Sequence, residues 1–168
     1  MAIIMAFVVF IPLAIIQIGV LANLPLIQGY ADLILLAILA WSLQPGARTA
    51  WHWGVLGGIL MTLISAMPLG VYLIAYLLSV GMVLLVRRII WRLPLLTMLV
   101  MTIFGTWITY SLGFLALQLL GRELSFRYTF GTIFVPSVLY NLLLAIPIYA
   151  LIGELAKWIY PVEPLYES

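Results

Sequence analysis

The sequence contains no cysteine, one histidine and few charged residues. Its 168 residues include seven Lys plus Arg and five Asp plus Glu, so that only 7% of the chain is charged. The missing thiols exclude disulfide bonds, thiolate nucleophiles and Cys-ligated metal sites. The net charge of +2 is small enough to be explained by arginines flanking membrane spans, and no nucleic-acid partner is predicted.

Apolar residues, by contrast, dominate the composition. They make up 67% of the chain, and the mean hydropathy is +1.29, which is more apolar surface than a water-soluble core of this size can use. The composition therefore predicts an integral membrane protein, all-α, built as a polytopic bundle of about six transmembrane helices. We expect a single transmembrane domain over residues 1–160 and a short cytoplasmic tail over 161–168, with no separate soluble domain. The first apolar stretch follows no basic run and precedes no small-residue cleavage pattern, so we expect it to be a retained span.

The predicted spans differ in length. They cover residues 2–22, 31–43, 53–70 including an exit turn at 67–70, 71–86, 95–120 and 130–158. The second is about 13 residues long where about 20 is usual. We therefore expect that its helix extends into the preceding loop or that it lies where the bilayer is thinned. The last exceeds the thickness of a hydrocarbon core, so we expect tilt, a kink at Pro147 or projection into the interface.

The basic residues predict the orientation of the bundle. An even number of spans puts both termini on one side. Five basic residues share that side: Arg48, Arg87, Arg88, Arg92 and Lys157. Only Arg122 and Arg127 lie opposite. Because Lys and Arg are enriched in cytoplasmic loops, both termini should be cytoplasmic.

The third span combines a glycine face with an abrupt stop. Gly54 and Gly58 are four residues apart, a spacing that lets a neighbouring helix approach closely in lipid. Pro68 and Gly70 then favour a compact turn, because the residue before proline leaves the α region and glycine tolerates positive φ. Helix packing and a hairpin turn explain these residues better than a ligand site does. The nearby Trp51 and Trp53 are typical of interfacial anchors.

Few polar residues lie within the apolar segments. Asp32 falls at the first turn of the second span, where it can cap the helix; the other interpretation is an acid that pairs with a partner's cation at the membrane surface. The candidates for polar groups in a small-molecule pocket are Gln17, Asn23, Tyr76, Thr106 and Asn141. They are few, and neighbouring helices could satisfy all of them.

No catalytic constellation emerges from the sequence. Nucleophilic and general acid–base catalysis need titratable groups within hydrogen-bond reach of one another, and ion coupling needs charges near the bilayer midplane. The five acids fall at loops and ends on differing sides of the membrane. We therefore expect a protein that is not an enzyme and has no cofactor and no metal site.

Three segments, in order, resemble the rod shape-determining protein MreD family. They are ADLILL at 31–36, GILMTLIS at 58–65 running into PLGVY at 68–72, and VPSVLYNLLLAIPIY at 135–149. The last has the proline, asparagine and second proline of that family's final span in order. The resemblance covers roughly residues 30 to 150. One departure is Thr62, where the family commonly has an acid, so no role of that acid can be transferred.

The resemblance implies a bacterial inner-membrane scaffold of the cell-elongation (rod) complex that supports peptidoglycan synthesis and cell shape. Members bind the single-pass protein MreC and act alongside the actin-like MreB, the polymerase RodA and a penicillin-binding transpeptidase. The family is also similar in fold to S subunits of energy-coupling-factor transporters, which implies a rival function as a small-molecule (vitamin) binding protein. Lipid handling is a third interpretation.

Under the scaffold interpretation, the partner would lie in a lipid-facing groove. Asp32 and the Pro68–Gly70 turn would lie near its outer rim, and Pro136 and Asn141 inside the bundle. The candidate partner-binding or packing residues are Asp32, Gly54, Gly58, Pro68, Gly70, Pro136 and Asn141.

Overall fold

The structure is a computed structural model that describes residues 2–19, 29–45, 47–88 and 93–160. Within these ranges the protein is all-α, with six helices and no strand, as the composition predicts. The helices are α1 (Ala2–Gly19), α2 (Leu33–Ser42), α3 (Ala50–Ile64), α4 (Val71–Arg87), α5 (Pro94–Leu119) and α6 (Phe126–Ile159). The first turns of α6 include a π-helical stretch, Thr129–Phe134. The predicted tail 161–168, Asn23 and Arg92 lie outside the described residues.

Two of these helices, α5 and α6, are long and apolar enough to cross a membrane. Their most apolar 18-residue windows are only 39% and 22% buried, whereas the core helix of a soluble protein is mostly buried. The other four are shorter apolar helices. By length and composition alone, α5 and α6 are therefore the two candidate spans.

Helix α2 is the centre of the bundle. All ten of its residues are buried, and the other five helices all pack against it. Ten residues rise only about 15 Å, half the thickness of a hydrocarbon core. Because α2 is enclosed by protein, its length need not match the thickness of a bilayer. The helix begins at Leu33 and does not extend into the preceding segment 29–32.

Both ends of α2 carry a complementary charged side chain. Asp32 caps the N-terminus, with its carboxylate accepting from the Leu35 N–H. At the other end, Arg87 Nη1 donates to the carbonyl oxygens of Ser42 at 3.0 Å and Gln44 at 3.1 Å. An acid at the N-terminus and a cation at the C-terminus both interact favourably with the helix dipole. This interaction is strongest where water does not screen it.

The glycine face of α3 packs on α4, as the spacing predicts. A Cβ added to Gly58 would lie 2.6 Å from the Leu73 Cα, and one on Gly54 would lie 3.1 Å from the Val80 Cγ2. The turn that follows has Gly70 at φ 89°, a left-handed conformation that favours glycine. Helix α3 ends at Ile64, before the turn predicted at 67–70, because Ser65 already adopts an extended backbone.

One interfacial assignment is wrong. Trp53 is fully buried, with its ring stacked on Trp41 at a centroid distance of 4.4 Å. Trp51 is 47% exposed and remains on the outside. Gly57, one helical turn after Trp53, lies against Ile38 of α2 and leaves room for this close approach, so Trp53 faces the bundle centre.

Candidate functional site

A hydrogen-bond network surrounds Asp32 at the start of α2. The Asp32 Oδ1 accepts from the Leu35 N–H at 3.0 Å, which confirms the predicted helix cap. The hydroxyl of Tyr76, on α4, donates to both carboxylate oxygens at 2.8 and 2.7 Å. Both side chains are buried, so the network joins α2 to α4 away from solvent.

The same network continues into α5 and α6. The Asp32 N–H donates to Asn141 Oδ1 at 2.7 Å, and Asn141 Nδ2 donates to Thr106 Oγ1 at 2.9 Å. The Thr106 hydroxyl in turn donates a hydrogen bond to the Thr102 carbonyl at 2.7 Å. Asn141 is fully buried, as predicted for a residue inside the bundle, and it connects three chain segments at once.

Helix α1 joins the network through Gln17. Its Oε1 accepts from the Leu33 N–H at 2.9 Å, and its Nε2 lies 3.8 Å from the Met61 sulfur as a weak donor. Four of the five polar candidates therefore converge on the N-terminus of α2: Gln17, Tyr76, Thr106 and Asn141. The fifth, Asn23, lies outside the described residues.

A second polar cluster, at Ser137, was missed from the sequence. The Ser137 Oγ accepts from the Tyr30 N–H at 2.9 Å and donates to the Ile133 carbonyl at 2.8 Å. Because the single Ser137 hydrogen is thus used, the Tyr110 hydroxyl, 2.7 Å away, is the donor in its bond to Ser137. The signal was the helical spacing: Tyr110 follows Thr106 by four residues, and Ser137 precedes Asn141 by four.

A cavity of about 570 Å³ opens beside Asp32. Its polar lining residues are Gln17, Tyr30, Asp32, Ser65, Tyr72, Thr109, Tyr110 and Thr129. The rest of the lining is apolar, and none of the described lining residues is Lys, Arg or His. The cavity lies where the last turns of α1, α3 and α5 meet the first turns of α2, α4 and α6, so consecutive helices run in opposite directions.

A smaller groove of about 240 Å³ lies on the outer surface between α5 and the first turns of α6. Its lining, which we call the aromatic groove, comprises Trp107, Tyr110, Ser111, Phe114, Leu115, Phe126, Thr129, Phe130 and Phe134. Phe130 stacks between Phe126 and Phe134, with centroid distances of 5.6 and 4.6 Å. Tyr110, Phe114 and Thr129 line both spaces, so the groove and the cavity share a wall.

The remaining predicted site residues lie around these spaces. Asp32 is 9% exposed and forms a buried side of the cavity rather than an outer rim. The Pro68–Gly70 turn adjoins the cavity, since its neighbours Met67 and Val71 line it. Pro136 packs under the segment before α2, where a Cβ on Gly29 would lie 2.7 Å from the Pro136 Cβ. Gly54 and Gly58 contact α4 and do not line the cavity.

Charged groups around the site are sparse. In the part of the chain that the structure describes, the only ion pair joins Lys157 to Glu154 on the exposed surface of α6. The Asp32 carboxylate therefore has hydrogen-bond donors but no ion-pair partner among the described residues. Across the same ranges, no three His, Asp or Glu side chains come together in a way that would hold a metal ion.

Comparison with known proteins adds no assignment. No protein-family model matches the chain, and neither a curated protein nor a solved structure matches it.

Proposed function

We propose that this protein is a six-span scaffold of the bacterial inner membrane that holds an MreC-like single-pass partner within the cell-elongation complex. The observation that carries the proposal is the aromatic groove, which is largely apolar and outward-facing. The resemblance of residues 31–36, 58–72 and 135–149 to the MreD family supplies the partner. A RodA-type polymerase and a penicillin-binding transpeptidase would then act beside the pair on peptidoglycan.

The alternating helix directions support six crossings. Helices α1 to α6 alternate in direction around the cavity, so a membrane crossed by α5 and α6 would be crossed by their neighbours too. Large apolar side chains face outward on several helices, including Ile15 on α1, Leu63 on α3 and Leu143 on α6. Soluble monomers rarely expose apolar surface on this scale, whereas lipid covers it at no cost.

The arginine distribution assigns the sides. Arg48, Arg87 and Arg88 belong to the end of the bundle opposite the cavity, and Arg122 and Arg127 to the cavity end. By the positive-inside rule, the cavity and the groove lie in the extracytoplasmic half.

Cysteine labelling tests this topology, and the cysteine-free chain suits the method. Single cysteines at positions 48, 90 and 124 would be treated with a membrane-impermeant thiol reagent on intact cells. We expect labelling at 124 only. Labelling at 48 or 90 with none at 124 would reverse the topology, and labelling at all three would refute a membrane crossing between positions 90 and 124.

The aromatic groove fits a partner helix that lies against it within the membrane. Trp107 is 51% exposed and Phe126 is 65% exposed, so their rings are accessible from the lipid side. Aromatic rings contribute large contact areas at little entropic cost, and helix association in lipid depends on such packing. The π-helical stretch Thr129–Phe134 widens α6 at this point, and such stretches occur frequently at functional sites.

Site-specific crosslinking identifies the occupant. A photo-crosslinkable residue would replace Leu115, which lines the groove and is 54% exposed, or Leu143, which is 73% exposed on α6 but outside the groove. Mass spectrometry of gently solubilised bacterial membranes should recover an MreC-like single-pass protein from position 115 and not from 143. Equal recovery from both positions, or recovery of unrelated membrane proteins alone, would count against the groove.

A second candidate function is small-molecule binding of the kind performed by S subunits of energy-coupling-factor transporters. The cavity beside Asp32 favours it, because about 570 Å³ falls in the range of small-molecule sites, roughly 300–1,000 Å³. The two functions differ in their partners. Co-purification with a transporter's energising subunit, with no MreC-like protein, would favour this candidate over the scaffold.

A further inference from the structure

We propose that the cavity beside Asp32 binds an amphipathic organic amine, with its ammonium group against the Asp32 carboxylate and its apolar body against the cavity walls. This inference rests on the second candidate function, small-molecule binding, and names the chemistry of its ligand. It is carried by the charge, the hydrogen-bond capacity and the wall composition of the cavity.

The charge of the cavity is negative and uncompensated. Asp32 is the only charged residue among its described lining residues. A carboxylate offers about four acceptor positions. Oδ1 accepts from the Leu35 N–H, and the single Tyr76 hydrogen is shared between Oδ1 and Oδ2, so at most three positions are used. Oδ2 can therefore accept a further donor, and a cationic one makes the stronger, charge-assisted bond.

Two hydroxyl groups in the cavity wall, those of Thr109 and Tyr110, present acceptors rather than donors. The Tyr110 hydrogen is used by Ser137, as shown above, and the Thr109 hydroxyl donates to the Gly105 carbonyl at 2.9 Å. Each oxygen retains lone pairs for a ligand's N–H groups. The rings of Tyr72 and Tyr110 also line the space, and aromatic faces attract cations. An anionic ligand would meet the Asp32 charge with no compensating cation.

The walls require an apolar body. They include Ile18, Ile64, Val71, Phe114 and Ile133, which supply no hydrogen-bonding side chain. A phospholipid with an ammonium headgroup shares part of this chemistry. Its phosphate, however, would lie near Asp32 without a Lys or Arg in the described lining, so the cavity favours a free amine.

Equilibrium dialysis of the purified full chain in detergent tests the assignment with three labelled probes of one shape: tryptamine, the neutral 3-ethylindole and the anionic indole-3-propionate. We expect tryptamine to bind at least about tenfold more tightly than either analogue, as a lost charge-assisted hydrogen bond implies. Ala66→Trp places a large ring at the cavity lining and should block the site. The probe that this variant still retains measures how much probe partitions into detergent. Leu69→Trp is its matched control, because Leu69 is in the same turn, 89% exposed and outside the lining.

Asp32→Asn tests the acid itself. Asparagine caps helices about as well as aspartate, so the cap on Leu35 should persist while the charge is lost. Tryptamine binding should weaken about tenfold or more, and Glu154→Gln, which removes an exposed acid on α6, should leave it unchanged. If Asp32→Asn does not fold, the Ala66→Trp and Leu69→Trp pair still decides whether the probe occupies the cavity.

The possible outcomes test separately the chemistry of the ligand and the small-molecule-binding function. Saturable binding of the neutral or anionic probe in preference to tryptamine would refute an amine as the ligand. It would still support small-molecule binding. Binding of no probe, or equal binding by wild type and Ala66→Trp, would refute both the amine ligand and small-molecule binding in this cavity. A phospholipid that blocks the site, detected by mass spectrometry of gently solubilised protein and lost in Ala66→Trp, would overturn the assignment to a free amine.

Discussion

Gly58→Ala and Gly153→Ala make the same chemical change at two helical glycines, and we expect them to differ in stability. Each replacement improves helix propensity by about 1 kcal/mol, a contribution that cancels when the two variants are compared. What remains is the space around the new methyl group. At Gly58 it would lie 2.6 Å from the Leu73 Cα and 3.2 Å from the Leu73 N, whereas at Gly153 its nearest neighbour is the Gln44 Nε2 at 3.9 Å.

The difference follows from the atoms that must move. Non-bonded carbons prefer about 3.5–4.0 Å, so at position 58 the backbones of α3 and α4 have to separate by roughly 1 Å. Overpacking of this kind costs about 1–3 kcal/mol. Because the nearest atom, the Leu73 Cα, is backbone, no rotamer change of Leu73 relieves the contact. The larger side chain in Gly58→Leu should cost more than Gly58→Ala.

Thermal unfolding in detergent measures the effect. For a chain of this length, a difference of 1–3 kcal/mol should lower the melting temperature of Gly58→Ala below that of Gly153→Ala by roughly 2–12 °C. The order of the two variants is the decisive readout. If Gly58→Ala melts at or above Gly153→Ala, or Gly58→Leu melts with wild type, the α3–α4 contact is not as close as the structure has it.

Three further predictions concern stability. Arg87→Leu should destabilise the fold by about 1.5–3 kcal/mol, because it leaves the Ser42 and Gln44 carbonyls without their charged donor, while Arg88→Leu should change the melting temperature little. Tyr76→Phe should cost a similar amount by removing the donor to both Asp32 oxygens. Gly70→Ala should lower stability through its positive φ of 89°, with no steric contribution, since nothing lies within 4 Å of the added Cβ. Equal melting of Arg87→Leu and Arg88→Leu, or wild-type melting of either other variant, would refute the corresponding contact.

The apolar runs predicted the number of helices, although not the residue at which each one begins or ends. They predicted six helical segments, and the described residues form six helices. Asp32 before the run 33–42 predicted a helix cap, because a short acidic side chain there meets free N–H groups of its own helix. The Gly54 and Gly58 spacing predicted a close contact, since period and side-chain size are both written in the chain. Such features depend on residues a few positions apart.

Which helix lies at the centre was decided only by the tertiary structure. The run 31–43 resembles the other apolar runs in composition, yet α2 alone is buried on every side. In a chain this apolar, outward-facing and inward-facing residues have similar hydropathy, so no periodic pattern marks the inner face. The same reason explains why Trp53 was taken for an interfacial anchor and is instead stacked on Trp41.

The site, too, required the packed bundle. Gln17, Tyr76, Thr106 and Asn141 were recognisable as polar groups in apolar helices, but their convergence on Asp32 joins residues as far as 109 positions apart. Helical spacing fixes which residues share a face, and it leaves open the helix that each face meets. Only the packing of α1, α4, α5 and α6 around α2 brings these donors and acceptors within 3 Å of one another, because a buried polar group is stable only where another helix supplies its partner.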